Sequence, residues 1–120
     1  MAIKLTTQNK LDIAVLEVRG SLTGGAETDE LKTAAHDLIE QGNRKLIIDL
    51  GGATYVNSSG IGALVHILTS YSNAKGKVKL CRLGKGVENV FVITRLLSVF
   101  DVAETREEAL KNFASSTVHK

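Results

Sequence analysis

The chain has no proline, no tryptophan and a single cysteine, and its aromatics are two tyrosines and three phenylalanines. Each scarcity removes a class of explanation. One cysteine, Cys81, excludes an intrachain disulfide and any cysteine cluster for zinc. Within KVKLCRL, a run that reads as a strand, it is expected to be a small buried residue. So few aromatics cannot build a stacking platform for nucleic-acid bases. Without proline, turns fall to glycine, asparagine and serine. The N-terminal stretch MAIKLTTQNK holds no long apolar run, so neither a signal peptide nor membrane insertion is expected, and the sequence predicts a cytoplasmic protein.

The chain has 120 residues, with 15 basic and 13 acidic side chains and a formal charge of +2. That length fits one domain with a core able to fold without metal or disulfide. The charge balance gives no reason to expect direct contact with nucleic acid. The densest basic stretch, Lys75, Lys77, Lys79, Arg82 and Lys85, reads as a solvated edge around a strand.

Strand and helix signals alternate along the chain. Residues 12–19 (DIAVLEVR) form a strand pattern ending at a turn signal, Gly20-Ser21, and residues 3–7 suggest a short edge strand beside it. Leu31, Ala34, Ala35, Leu38 and Ile39 recur at helical spacing. LIIDL at 46–50 is a short apolar strand, and a second helical pattern runs from Ile61 through Leu64, Val65 and Leu68. A strand over 77–83, a helix around Val87 to Thr94, a short strand near Val99 to Val102 and a last helix follow. Thr105-Arg106-Glu107-Glu108 matches a capping box at the start of that helix. The order β-β-α-β-α-β-α-β-α predicts an α/β fold, a mixed sheet with helices packed against it. Residues 1–113 read as one domain and 114–120 as a flexible tail.

The chemistry concentrates in NSSGIG, residues 57–62, between strand and helix. The first N–H groups of a helix lack internal acceptors and favour negative charge. Asn57 or Ser58 could cap that helix. A phosphate on Ser58 or Ser59 would meet the same N–H groups and add nearly two negative charges to a contact surface. Both readings stand on the residues alone. The glycines at 51–52, 60, 62, 84 and 86 complete no nucleotide-binding signature. His36, His66 and His119 lack the elbow and oriented acid of a nucleophilic triad. Asp12, Asp49 and Asp101 read as solvated or capping carboxylates. The expectation is a protein that is not an enzyme, with no metal and no cofactor.

These residues together resemble a family. KLIIDLGGATYVNSSGIGAL is similar to the signature stretch of STAS-domain anti-sigma factor antagonists of bacteria, which carries an Asp-Ser-Ser-Gly core. GSLTGG, VKLCRL, GVENVFVITRL and SVFDVAETREEAL resemble further family segments in the right order over about residues 3–113. The resemblance implies a STAS-type sheet and a cytoplasmic regulator. In its unmodified form such a protein binds an anti-sigma factor with a histidine-kinase-like serine kinase fold, freeing a sigma factor. Phosphorylation of a serine abolishes binding, and a PP2C-type phosphatase restores it. Ser59 matches the favoured serine and Ser58 the alternative. Asp49 matches the family's strand aspartate, with a structural role near the loop. Asn57 stands in place of the family's aspartate; it keeps a capping oxygen and removes a negative charge that a kinase would meet. The expected partner face comprises Thr23, Gly24, Gly25, Tyr55, Asn57, Gly60, Ile61 and Gly62, with Tyr55 and Ile61 equally readable as partial core.

Two other functions fit the residues. One is a STAS binding module without a switch, serving as a soluble subunit of a transporter or signalling scaffold. The other is a sensor of a small anion or nucleotide. An exposed strand or helix face could also support a weak homodimer.

Overall fold

The computed structural model describes the backbone of residues 3–8, 12–95 and 98–118, and the side chains of residues 12–95 and 98–113. His119, noted above in the expected tail, lies outside them. The elements are β1 (Ile3–Gln8), β2 (Ile13–Leu22), α1 (Ala26–Glu40), β3 (Lys45–Val56), α2 (Ser58–Asn73), β4 (Lys77–Cys81), α3 (Lys85–Ile93), β5 (Asp101–Ala103) and α4 (Arg106–Val118). This is the expected alternation. The five strands form one sheet in sequence order, with β1 antiparallel to β2 and the remaining neighbours parallel.

That order dictates the layering. Each parallel connection steps one strand along in the same direction, and right-handed crossovers then place every connecting helix on one face. α1, α2 and α3 accordingly bury Leu31, Leu38, Leu64, Ile67, Tyr71 and Phe91 against Ala14, Leu16, Val18, Leu46, Ile48 and Leu80. α4 follows the last strand and is free to cover the other face. There Ala109 and Phe113 pack on Ile13, Val15, Ile47, Cys81 and Ala103. Alternate side chains of a strand point to opposite faces, which is why LIID divides between two cores. Burial pushes the Cys81 thiol up to about 12, with the Asp49 carboxylate adding to the shift, so the residue is the small buried group expected.

Several boundaries differ from the expectation. β2 runs through Gly20-Ser21 to Leu22, and β3 runs through Gly51-Gly52 to Val56, because the two strands go on pairing as far as Leu22↔Val56. Cross-strand pairing overrides the turn signals. α2 therefore starts at Ser58, directly after a single linking residue, and not at Ile61. β4 stops at Cys81. The last strand starts only at Asp101, two residues later than Val99. α4 runs from Arg106 to Val118. Lys79 departs from the solvated edge: it is buried, its Nζ lies 3.2 Å from Asp101 Oδ2 and 4.9 Å from the centre of the Phe113 ring. Thr105 caps α4 as expected, accepting the Glu108 N–H at 3.0 Å. Glu108 reaches back one residue further than a capping box requires, to the Glu104 N–H.

The α4 layer is fastened by charge as well as packing. Asp49, with no exposure, points to the α4 face, where its Oδ2 accepts from Arg106 Nη2 at 2.8 Å and Nε at 3.1 Å. Arg106 also lies 3.7 Å from Glu17, the β2 neighbour of Asp49. These contacts raise the Arg106 pKa further above its usual range, the Asp49 hydrogen bond contributing most. A buried charge pair adds little net stability over an apolar one, but losing one partner strands the other. Asp49→Ala is therefore expected to lower the urea midpoint by the equivalent of about 2–4 kcal/mol, whereas no change would show that Arg106 is satisfied by solvent.

Candidate functional site

The turn after β2, the residue after β3 and the residues after β4 all lie at the carboxyl end of the parallel strands. In α/β sheets that end gathers the loops that carry function. Here the first two loops meet. The Asn57 N–H donates to the Leu22 carbonyl at 3.1 Å, and the Asn57 side chain works in two directions. Its Oδ1 accepts the Gly60 N–H at 3.1 Å, capping α2, while its Nδ2 donates to the Thr23 carbonyl over a long 3.4 Å. A carboxylate could perform the first task and not the second, since it has no N–H to offer. Asn57 thus has a local structural reason for standing where the sequence resemblance implies an aspartate.

Gly60 lets the two loops close. A Cβ there would overlap the Leu22 carbonyl, so the start of α2 lies directly on the end of β2. Across the same seam, Gly24 adopts φ +95, and a Cβ on it would come within 3.0 Å of the Ser59 Cβ. Thr28, one turn into α1, accepts the Gly24 N–H at 2.9 Å and holds the turn in place. The N-terminus of α1, with N-cap Gly25, receives no side-chain cap.

Placement of the expected partner-face residues follows from this geometry. Thr23, Gly24, Gly25, Ser58, Ser59 and Gly62 are exposed, Asn57 is half-buried, and Tyr55 is 56% exposed, which removes it from the core. Two residues of that face lie inward. Ile61 is only 6% exposed and belongs to the core beneath α1–α3, the second of the two readings its residue type left open, and Gly60 is buried against Leu22. The i, i+3, i+4 pattern that marked α2 already carried the Ile61 answer, because Ile61 shares the stripe of Leu64 and Val65. Asp49 lies before the loop and is tied to Arg106, a pairing that sequence spacing did not suggest. Of the two residues expected as candidates for the α2 cap, Asn57 and Ser58, it is Asn57 that caps.

Among the described residues no group of three His, Cys, Asp or Glu side chains is placed to hold a metal ion, and no helix is long and apolar enough to cross a membrane. His36 is exposed, 3.7 Å from Glu40 and one turn away on α1, and His66 is exposed on α2.

The STAS domain model matches residues 4–109. The chain belongs to the STAS-domain family. An anti-sigma factor antagonist so named from Bordetella bronchiseptica, BtrV, is 27% identical over 110 residues, spanning 92% of this chain and 95% of its own. Among solved structures, one from Thermotoga maritima named for the same role has a TM-score of 0.84 at 22% identity, covering 93% of this chain and 94% of its own. The phosphorylated form of the Bacillus cell fate determinant SpoIIAA has a TM-score of 0.71 at 20% identity, covering 92% and 98%. This STAS chain is thus related in sequence and fold to proteins named as anti-sigma factor antagonists.

The seam around Gly60 is testable through stability. Gly60→Ala forces β2 and α2 apart at the Leu22 carbonyl and is expected to lose about 2 kcal/mol or more, measured by urea unfolding.

Proposed function

We propose that this STAS protein is a phosphorylation-switched anti-sigma factor antagonist. Unmodified, it binds an anti-sigma factor of histidine-kinase-like serine kinase fold, and a sigma factor is released. Phosphorylation within NSSG ends the binding, and a PP2C-type phosphatase reverses it. The observation that carries the reading is the position of Ser58 and Ser59: both are exposed in the first turn of α2, beside the exposed Thr23–Gly25 turn.

The physical logic is a patch whose charge can be changed without refolding. Thr23, Gly24, Gly25 and Gly62 present no formal charge and little bulk, and Tyr55 adds an exposed aromatic ring, a combination that suits close contact with another protein. A phosphate dianion on that patch would have to be desolvated for the partner to stay, and the partner would need to neutralise it. The helix N-terminus tolerates the added charge, so the switch acts on binding and leaves the fold intact. Ser59 is the preferred acceptor, because it lies against Gly24 where the two exposed turns meet. Ser58 is the alternative.

Intact mass measured on protein from its native host, before and after treatment with a PP2C-type phosphatase, is expected to show one removable phosphate, mapped by fragmentation to Ser59 or Ser58. Its absence across growth and stress conditions would overturn the switch. A second expectation separates fold from contact. Nothing lies within 4 Å of a Cβ placed on Gly62. Gly62→Ala in this helix is therefore expected to raise stability by about 0.5–1 kcal/mol while weakening capture of the anti-sigma kinase. Unchanged capture would move Gly62 out of the contact face.

A further inference from the structure

Beyond Asp49, β3 loses one neighbour and slips against the other. Its ladder with β4 ends at Asp49↔Cys81. Against β2 it carries one extra residue between the Asp49 and Gly52 pairings and another between those of Ala53 and Tyr55. Bulges of this kind take backbone groups out of the ladder and re-aim the strand beyond them. Here the strand beyond them leads straight to Asn57, Ser58 and Ser59.

Both sides of the first bulge are held by side chains. The Gly51 N–H donates to Asp49 Oδ1 at 2.9 Å. Where β4 has ended, the Arg82 guanidinium lies along β3. Its Nε is 3.4 Å from the same Oδ1, and a Cβ on Gly51 would overlap its Nε, Cζ and Nη2. Glycine at 51 is what admits the arginine. Arg82 itself has φ +60, a left-handed backbone that disfavours residues with a Cβ, and its N–H donates to the Ala103 carbonyl at 3.3 Å. Its side chain is 46% exposed, so burial does not force it into this place. The carboxylate of Asp49 thus divides its work: Oδ2 holds Arg106 of α4, and Oδ1 holds the bulge with Arg82 over it.

We propose that Arg82 is a positioning residue for the NSSG segment. Its guanidinium clamps the Gly51 bulge and sets the register in which the second half of β3 presents Asn57, Ser58 and Ser59. The functional meaning rests on the contact surface proposed above, but the clamp acts in the free protein and is measured there without kinase, phosphatase or partner.

The test is amide hydrogen exchange on the full chain, comparing wild type with Arg82→Asn and Gly51→Ala. Asparagine tolerates the left-handed backbone, so Arg82→Asn removes the guanidinium and leaves the turn unstrained. Exchange over residues 51–60 is expected to quicken about tenfold while α1 and α4 keep their wild-type rates. Gly51→Ala, which displaces the guanidinium without deleting it, is expected to give the same local pattern. Unchanged exchange over 51–60 in Arg82→Asn, or an equal rise throughout the chain, would overturn the proposal. Should Gly51→Ala fail to fold, Arg82→Asn decides alone. A local rise together with a chain that is never phosphorylated would uphold the clamp and reject only the switch.

Discussion

A carboxylate buried in the middle of a β-sheet has to be met by donors on every open side, and at Asp49 those donors come from three separate parts of the chain. Arg106 arrives from the start of α4, Arg82 from the end of β4, and the Gly51 N–H from two residues along the same strand. None of these groups is near another in sequence, apart from Gly51. The charge therefore specifies how α4 seats on the sheet and where β3 departs from regular pairing. Apolar packing under α4 supplies contact area but little direction; the guanidinium–carboxylate geometry supplies direction.

The two faces of the sheet are organised differently. Beneath α1, α2 and α3 the core is almost wholly apolar, closed at one end by the Tyr71 hydroxyl donating to Asn43 Oδ1 at 2.8 Å. Burial pushes the Tyr71 hydroxyl well above its usual range, so it remains a donor at any physiological pH. The α4 face is smaller and mixes apolar groups with the Asp49–Arg106–Glu17 cluster and with the buried Lys79, whose ammonium meets the exposed Asp101 at the rim. Long cationic side chains lay their stems along the apolar surface while the charged ends find partners.

The NSSG segment is held by contacts that leave its two serines exposed. Asn57 satisfies the helix start and the neighbouring turn at once, Gly60 brings α2 onto β2, and Thr28 ties the turn back to α1. Rigid support beneath and small, uncharged groups above suit a surface on which one added phosphate makes the largest local difference.

Element order, the helical stripes, the cap at Thr105 and an α2 cap at Asn57 or Ser58 were readable in the linear chain, because each depends on residues within a few positions of one another. So was membership of the STAS family, since the NSSG segment and its flanking strand and helix are contiguous. The lengths of β2 and β3 were not readable: Gly20-Ser21 and Gly51-Gly52 look like turns until the two strands are set side by side. Nor did spacing distinguish Gly60 from Gly62, two residues apart with the same local propensity. One faces the Leu22 carbonyl and the other faces open space. Lys79 looked solvated and is buried, and Asp49 gave no sign of its arginines, which lie 33 and 57 positions away. Short-range patterns encode local hydrogen bonding and amphipathic faces, whereas burial, close approach and charge pairing exist only once distant segments share the same space.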